Sequence, residues 1–227
     1  MRELVYLSQA KLQQFRKPAN KRDGLSGGLK VTTGTGLPSA EVGLTYDAAQ
    51  AAVATTATLD EAEKFIRAKW PVRYWTEELE PGEWIQFEAR LAYGVLETDS
   101  PGRRQLLLFR GRDDPQDAAS PQLVLHGSPQ HLLPAYADAA PTELVSMSRV
   151  SALINFLQAT DDGENAESSP SLQSMLPRVI RQLRLIAPDL TAGWLSGMAR
   201  TSFEVSANGR RIVVASPLFV EHIPAPK

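Results

Sequence analysis

Two histidines and a serine stand close together in the run Gln122-Leu-Val-Leu-His-Gly-Ser-Pro-Gln-His-Leu-Leu133. An imidazole can act as a general base or a metal ligand, and a neighbouring serine hydroxyl can act as a nucleophile. The preceding apolar run, Gln105-Leu-Leu-Leu-Phe-Arg-Gly-Arg112, ends in two guanidinium groups, which suit carboxylate and phosphate ligands. The candidate ligand-binding residues are therefore Arg110, Arg112, His126, Gly127, Ser128 and His131.

A serine nucleophile in this run would need a histidine as base and an orienting acid such as Asp113 or Asp114. The residues around Ser128 read His-Gly-Ser-Pro-Gln and do not match the Gly-x-Ser-x-Gly nucleophile elbow. Pro129 also removes a backbone N–H that could have served an oxyanion. A hydrolase or transferase using the cluster of His126, Ser128 and His131 is therefore the alternative hypothesis, and no residue is assigned as catalytic.

Metal binding by the two histidines would need a further protein ligand, and the sequence offers none nearby. His131 follows His126 by five positions, whereas ligands on a helix usually stand three or four apart. The chain has no cysteine, which excludes disulfides, thiolate metal sites and a cysteine nucleophile. We therefore expect neither a metal site nor a cofactor.

A binding site asks less of the same residues. Amides around Gly127 and Ser128, the imidazole of His131 and the nearby arginines could hold a small anionic or polar ligand. Ser128 could equally cap a one-turn helix that has Pro129 at its first position. The cap is the favoured interpretation, and it does not exclude a ligand because the same helix amides could serve both.

The flanking elements predict an α+β fold, a largely antiparallel sheet packed by several helices. Alternating or short apolar runs predict strands at 4–7, 29–33, 40–45, 83–94, 105–109 and 122–125, and a C-terminal hairpin around Asn208-Gly209. Ile212–Ala215 is apolar on both faces and should lie centrally, with an edge or bulge at Pro217. Apolar residues at helical spacing predict helices near Leu12, Phe65, Leu153 and Val179, the second capped by Thr58.

The length of 227 residues allows a sizeable core, and we expect a single domain across 1–227. Hydrophobic residues make up 43% and charged residues 22%, as in ordinary globular proteins. The acidic, serine-rich segment 161–169 predicts a flexible loop, and residues 222–227 predict a short tail.

The net charge and the apolar runs of the chain indicate which partners and which location to expect. The formal net charge is -2, and nucleic-acid binding usually needs a basic excess, so nucleic acid is not an expected partner. The N-terminus carries Glu3 and lacks the long apolar stretch of a secretory signal, and no run approaches the ~20 apolar residues of a membrane span. We expect a cytoplasmic protein without a membrane span, and a homo-oligomer stays open.

Several short motifs together carry a likeness to a known group of proteins. They are Tyr6-Leu-Ser8 followed by Lys11-Leu12, Tyr93-Gly94, His126-Gly-Ser128, His131-Leu-Leu133 and Ala215-Ser-Pro-Leu-Phe-Val-Glu221. With these motifs the chain resembles, over most of its length, a family of uncharacterised actinobacterial proteins. The resemblance implies a single unit and carries no activity, cofactor or catalytic residue.

Two further features of the sequence bear on ligand binding: a glycine-rich loop and a basic helix face. The loop around Gly34-Thr-Gly36 lacks the Gly-Lys-Ser/Thr of a P-loop, so we read it as a hairpin or bulge. Arg178, Arg181 and Arg184 share a helix face, which indicates a solvated face first and a phosphate or acidic-partner surface second. The sequence as a whole predicts a non-catalytic binding or regulatory protein that recognises a small ligand or a protein partner.

Overall fold

The computed structural model describes residues 2–15, 48–98, 105–112, 120–145, 170–207 and 209–226. In this part of the chain one sheet contains eight strands: β1 (Glu3–Leu7), β2 (Val72–Tyr74), β3 (Trp84–Thr98), β4 (Gln105–Gly111), β5 (Gln122–Gly127), β6 (Thr142–Val145), β7 (Gly193–Ala207) and β8 (Arg210–His222). The helices are α1 (Gln9–Gln14), α2 (Ala48–Lys69), α3 (Pro134–Ala137) and α4 (Pro170–Ile186), with 3-10 turns at Pro129–His131 and Asp189–Thr191.

The sheet closes on itself through five of its strands. β3 pairs with β4, β4 with β5, β5 with β8, β8 with β7, and β7 again with β3. Of these pairings only β5–β8 is parallel. β1 adds to the C-terminal half of β8, and β2 and β6 lie parallel to β3. Closure pairs member strands on both sides, which reduces the exposed edge of an open sheet.

Alternation along the strands gives the ring an inner and an outer face. On β3 the inward positions are Ile85, Phe87, Ala89 and Leu91, as the apolar pattern of this strand requires. They pack with inward side chains of the other ring strands and of β1, among them Val5, Tyr6, Leu107, Phe109, Leu123, Leu125, Val213 and Ala215. The interior of the ring is therefore an apolar core.

Two groups of helices cover the outer face. The buried stripe of α4 packs on β3, β4 and β7, and the core that it shares with the sheet includes Leu176, Val179, Leu183, Leu106, Leu108, Val124, Phe203, Ile212 and Val214. The helices α1 and α2 cover a second area, which includes Leu12, Leu59, Ile66, Trp84, Met198 and Leu218. These stripes follow the helical spacing of the apolar residues, because burying one face is what stabilises an amphipathic helix.

The outer face of β8 passes under both covers. Ile212 and Val214 lie under α4, and Leu218 lies under α1 and α2. Two polar residues lie on this same face of β8. Arg210 precedes the residues under α4, and Ser216 lies between those residues and Leu218. Each of these two polar residues belongs to a polar cluster.

The predicted sheet is confirmed as a mostly antiparallel one in a single compact unit, with more strand and less helix than an even α+β balance. The C-terminal hairpin is also confirmed, with Gly209 at a φ of 75°. Ile212–Ala215 lies between β5 and β7, and the β7–β8 register shifts where Ala199 meets Pro217. The predicted strands at 29–33 and 40–45, the helix around Leu153 and the loop 161–169 lie outside the described residues.

Three boundaries differ from the sequence-based expectation. Thr58 lies inside α2 rather than at its N-cap, because the alanine-rich stretch before it has high helix propensity and continues the helix back to Ala48. The helix expected around Leu153, with predicted bounds 144–158, does not include Leu144, which lies in β6 because it pairs with Glu97 of β3. His222 is the last residue of β8 rather than part of a tail, since it pairs with both Glu3 and Leu195. None of the described helices is long and apolar enough to cross a membrane.

Candidate functional site

Arg110 is completely buried at the end of β4, on the outer face of the ring. Its Nη1 donates to the Gly111 carbonyl at 3.1 Å and its Nη2 to the Ala187 carbonyl at 3.2 Å. Ala187 directly follows α4, so the guanidinium satisfies a carbonyl that the helix end leaves without an intrahelical partner. Nη2 also lies 2.8 Å from Oδ1 of Asp189, a contact of opposite charges rather than a well-directed hydrogen bond.

Two further guanidinium groups stand beside this pair. Arg184 projects from the last turn of α4, and Arg210 begins β8 and donates its Nε to the Ser120 carbonyl at 3.0 Å. Burial lowers the pKa of Arg184, the charges of Arg110 and Arg210 lower it further, and Asp189 acts in the opposite direction. We call Arg110, Arg184, Arg210 and Asp189 the arginine cluster.

Two other features of this end of the sheet bear on the cluster. Gln122 is buried and donates its Nε2 to the Gly111 carbonyl at 3.3 Å, so this oxygen accepts from both Gln122 and Arg110. The Nε–H of Arg110 has no hydrogen-bond acceptor among the described residues. Arg112, also a candidate from the sequence, is exposed, and its backbone amide donates to the Arg90 carbonyl at 2.9 Å.

His126 belongs to a different polar cluster. Its ring is fully buried, and Nε2 lies 2.8 Å from Oγ of Ser202 on β7. The backbone carbonyl of His126 accepts a hydrogen bond of 3.3 Å from Oγ of Ser216, and that Oγ is also bonded to Nζ of Lys11. We call Lys11, His126, Ser202 and Ser216 the polar seam, since it lies on the outer face between the two helix-covered areas.

Gly127 serves the packing of the ring interior. A Cβ on Gly127 would lie 2.9 Å from Cζ of Tyr6 and still closer to its hydroxyl, so a hydrogen atom at this position is what admits the buried tyrosine. The imidazole of His131 packs edge-on against the same Tyr6 ring, with a centroid distance of 5.8 Å. Gly127 and His131 thus meet at Tyr6, away from the contacts that Arg110 and His126 make.

Ser128 occupies the N-cap position of the 3-10 turn Pro129–His131, with Pro129 first, as the sequence predicted. The Ser128 side chain makes no capping hydrogen bond, and the turn is closed by its carbonyl, which accepts from the amide of His131 at 3.1 Å. The His131 amide is therefore engaged within the turn. This turn offers less to an anion than the sequence suggested.

A third polar contact lies where β1, β8 and α3 meet. Tyr136 donates its hydroxyl to Oε1 of Glu3 at 2.6 Å, and its ring packs against His222 with centroids 5.5 Å apart. The hydrogen bond to Glu3 raises the pKa of Tyr136 to about 12, and burial and the charge of Glu3 act in the same direction. Because the bond requires the protonated phenol, its stabilisation is fully present below the ordinary pKa of 10 and is lost as the pH rises through about 12.

An alkaline titration tests this assignment. We expect the tyrosinate absorbance of the folded protein to include one group that titrates near pH 12 and disappears in Tyr136→Phe. The variant should also lose less stability than the wild type between pH 10 and pH 12, because it has no phenol to ionise. The assignment is wrong if the curves of the wild type and Tyr136→Phe differ only by the loss of one tyrosine of ordinary pKa.

The sequence identified part of each cluster. It nominated Arg110 and His126, and it pointed to Arg184 as one member of a basic helix face. It gave no sign of Asp189, Ser202 or Ser216, whose roles depend on contacts between distant strands. Within the residues that the structure describes, no group of three or more histidine, aspartate and glutamate side chains could hold a metal ion.

These features define a structural class: a closed, mostly antiparallel sheet with helices on its outer face and, at one end, an ion pair between buried Arg110 and partly exposed Asp189. The chain belongs to the family of unknown function DUF7019, whose model matches residues 2–223. No curated protein matches the chain, and no solved structure matches it.

Proposed function

We propose that this protein is a binding or regulatory protein whose arginine cluster takes a small anionic ligand without catalysing a reaction on it. The observation that carries the proposal is the grouping of Arg110, Arg184 and Arg210, in which the charges of Arg110 and Arg210 act on Arg184. Like charges held together in a partly dehydrated place repel each other, and a bound anion relieves that repulsion. A multiply charged oxyanion, with inorganic phosphate and pyrophosphate as the simplest examples, fits the fork geometry of guanidinium donors.

The members of the cluster have different parts in this proposal. Arg110 is buried and held by two carbonyls, so it supplies a fixed positive charge. Its Nε–H is also buried and has no acceptor among the described residues. Arg184 is exposed and Arg210 is half-buried, so these two can contact a ligand that arrives from solvent.

A protein partner is the second candidate, and one observation favours it. Leu185 and Leu190 flank the cluster with 73% and 95% of their surface exposed. Large apolar side chains this exposed beside arginines are typical of contact surfaces for a segment that combines apolar and acidic residues. The arginine cluster would then bind carboxylates of the partner.

Thermal unfolding in the presence of simple anions tests the proposal. Pyrophosphate at ten times its Kd should raise the stability by about 1.4 kcal/mol and the melting temperature by about 3–6 °C. Sodium chloride of matched ionic strength separates binding from screening.

Variants of the exposed arginines locate the effect. Arg184→Gln and Arg210→Gln should each remove most of the shift, whereas Arg178→Gln, an exposed arginine on the same helix, should keep it. A shift that survives Arg184→Gln and Arg210→Gln, or no shift with phosphate, pyrophosphate or sulfate, would count against the anion site. In the second case a stable complex with an acidic, apolar peptide would favour the protein partner.

The cellular setting is also part of the proposal. We place the protein in the cytoplasm of an actinobacterium, and the alanine, proline and arginine bias of the sequence supports a GC-rich bacterial source. A homo-oligomer is compatible with the same exposed leucines. The alternative function is that of a hydrolase or transferase. Its support comes from Ser202, whose Oγ lies 2.8 Å from Nε2 of His126.

A further inference from the structure

We propose that Ser202 is a nucleophile activated by His126, and that this pair gives the protein an acyl-transfer activity on small esters, with water as acceptor. The distance of 2.8 Å between Nε2 and Oγ is the contact that a base makes with the hydroxyl it deprotonates. The proposal does not depend on anion binding, since the reacting pair of Ser202 and His126 includes no member of the arginine cluster.

A β-bulge places Ser202 in this position. Thr201 pairs with Ala215 and Phe203 with Val214, so Ser202 is the extra residue of β7. A bulge re-aims a side chain relative to the regular alternation and is common beside active sites. Ser202 is half-buried, whereas the imidazole of His126 is completely buried and held by the sheet.

A cation completes the polar seam. Nζ of Lys11 is bonded to Oγ of Ser216 and lies 3.4 Å from the Pro217 carbonyl. Ser216 in turn donates to the carbonyl of His126, so one hydroxyl connects the ammonium group to the residue that carries the base. A positive charge held near the pair by these contacts favours the oxyanion that develops during attack on an ester. Lys11 and Ser216 are positioning residues in this scheme.

The chemistry balances without a metal or a cofactor. Oγ of Ser202 attacks the carbonyl carbon of the ester while its proton moves to Nε2 of His126. The Oγ–carbon bond forms, the bond from that carbon to the leaving oxygen breaks, and His126 returns the proton to the departing alkoxide. Water then attacks the acyl-serine with His126 as base, which releases the carboxylic acid and restores the hydroxyl. The pair is defined by its geometry and does not need a sequence motif around the serine.

A fluorophosphonate probe on the full chain tests the proposal, with the site of the adduct mapped by mass spectrometry. We expect one adduct on Ser202, lost in Ser202→Ala and slowed by about 10²-fold or more in His126→Gln. The control is Ser206→Ala, which removes an exposed hydroxyl from the same strand and should leave labelling and p-nitrophenyl acetate hydrolysis unchanged. An adduct absent from Ser202, or unchanged in Ser202→Ala, would overturn the proposal.

Cysteine substitution gives a second test that does not depend on the buried histidine variant. The chain contains no cysteine, so Ser202→Cys and Ser128→Cys each create a single thiol. A thiol in contact with His126 should react with iodoacetamide at least about ten-fold faster near neutral pH than the thiol at position 128. Equal rates, or a slower reaction at position 202, would show that His126 does not activate this position.

Discussion

Replacing Asp189 with asparagine is expected to lower the free energy of unfolding by about 3 kcal/mol. The change removes the countercharge of Arg110, and breaking a buried ion pair by removing one partner typically costs about 3–5 kcal/mol. We expect the lower end because Asp189 is 38% exposed and the Gly111 and Ala187 carbonyls still accept from the guanidinium. Urea unfolding monitored by circular dichroism measures the difference.

The matched control for this experiment is Asp138→Asn, which removes an exposed carboxylate at the end of α3 and should change stability by no more than about 0.5 kcal/mol. Pyrophosphate should stabilise Asp189→Asn more than it stabilises the wild type, because the anion replaces the missing charge. An Asp189→Asn protein as stable as the wild type would contradict the structural part of this account. A loss of stability that pyrophosphate does not reduce would contradict the ligand part.

Gly127→Ala is expected to cost about 1–3 kcal/mol through overpacking of the ring interior. The added methyl group would stand 2.9 Å from Cζ of Tyr6, whose side chain is fully buried between Phe109 and His131. A small shift of Tyr6 cannot relieve this contact without moving both of those rings. Thermal and urea unfolding of the purified variant measure the cost.

A double variant separates the clash from other effects. Tyr6→Phe removes the atom nearest the new methyl group, so it should recover a measurable part of the loss when combined with Gly127→Ala. The two substitutions would then be non-additive, as expected for residues in contact. Strict additivity would contradict the clash with Tyr6. A stable Gly127→Ala protein that has lost ligand binding would support the ligand-binding role that the sequence suggested for Gly127.

The sheet was accessible to sequence reasoning because its signals are local. Alternation along β3, the Asn-Gly turn before β8 and the apolar run Ile212–Ala215 each determine structure over a few residues. Closure of the ring was not predicted, because it depends on β3 and β7 pairing across more than a hundred residues. The length of α2 was missed because an alanine-rich stretch reads equally as linker or helix until its neighbours are known.

The candidate site shows the same limit at the level of side chains. Arg110 and His126 were found because an arginine or a histidine inside an apolar strand is conspicuous in a sequence. Their partners were not found, since Ala187 lies 77 positions from Arg110 and Ser202 lies 76 positions from His126. No periodicity brings such pairs together; the closed sheet does. Ser128 was overvalued for the opposite reason, because closeness in sequence to two histidines did not produce a shared contact.

Calorimetric titration of pyrophosphate into the wild type, Arg184→Gln, Arg210→Gln and Arg178→Gln tests the central claim most directly. Each variant loses one exposed or half-buried guanidinium, so a general charge effect would weaken binding equally in all three. We expect Arg178→Gln to bind pyrophosphate within about two-fold of the wild type, and Arg184→Gln and Arg210→Gln to bind it about ten-fold or more weakly, the effect of one charge-assisted contact. Equal affinity in all four proteins, or no binding heat in any of them, would contradict the claim.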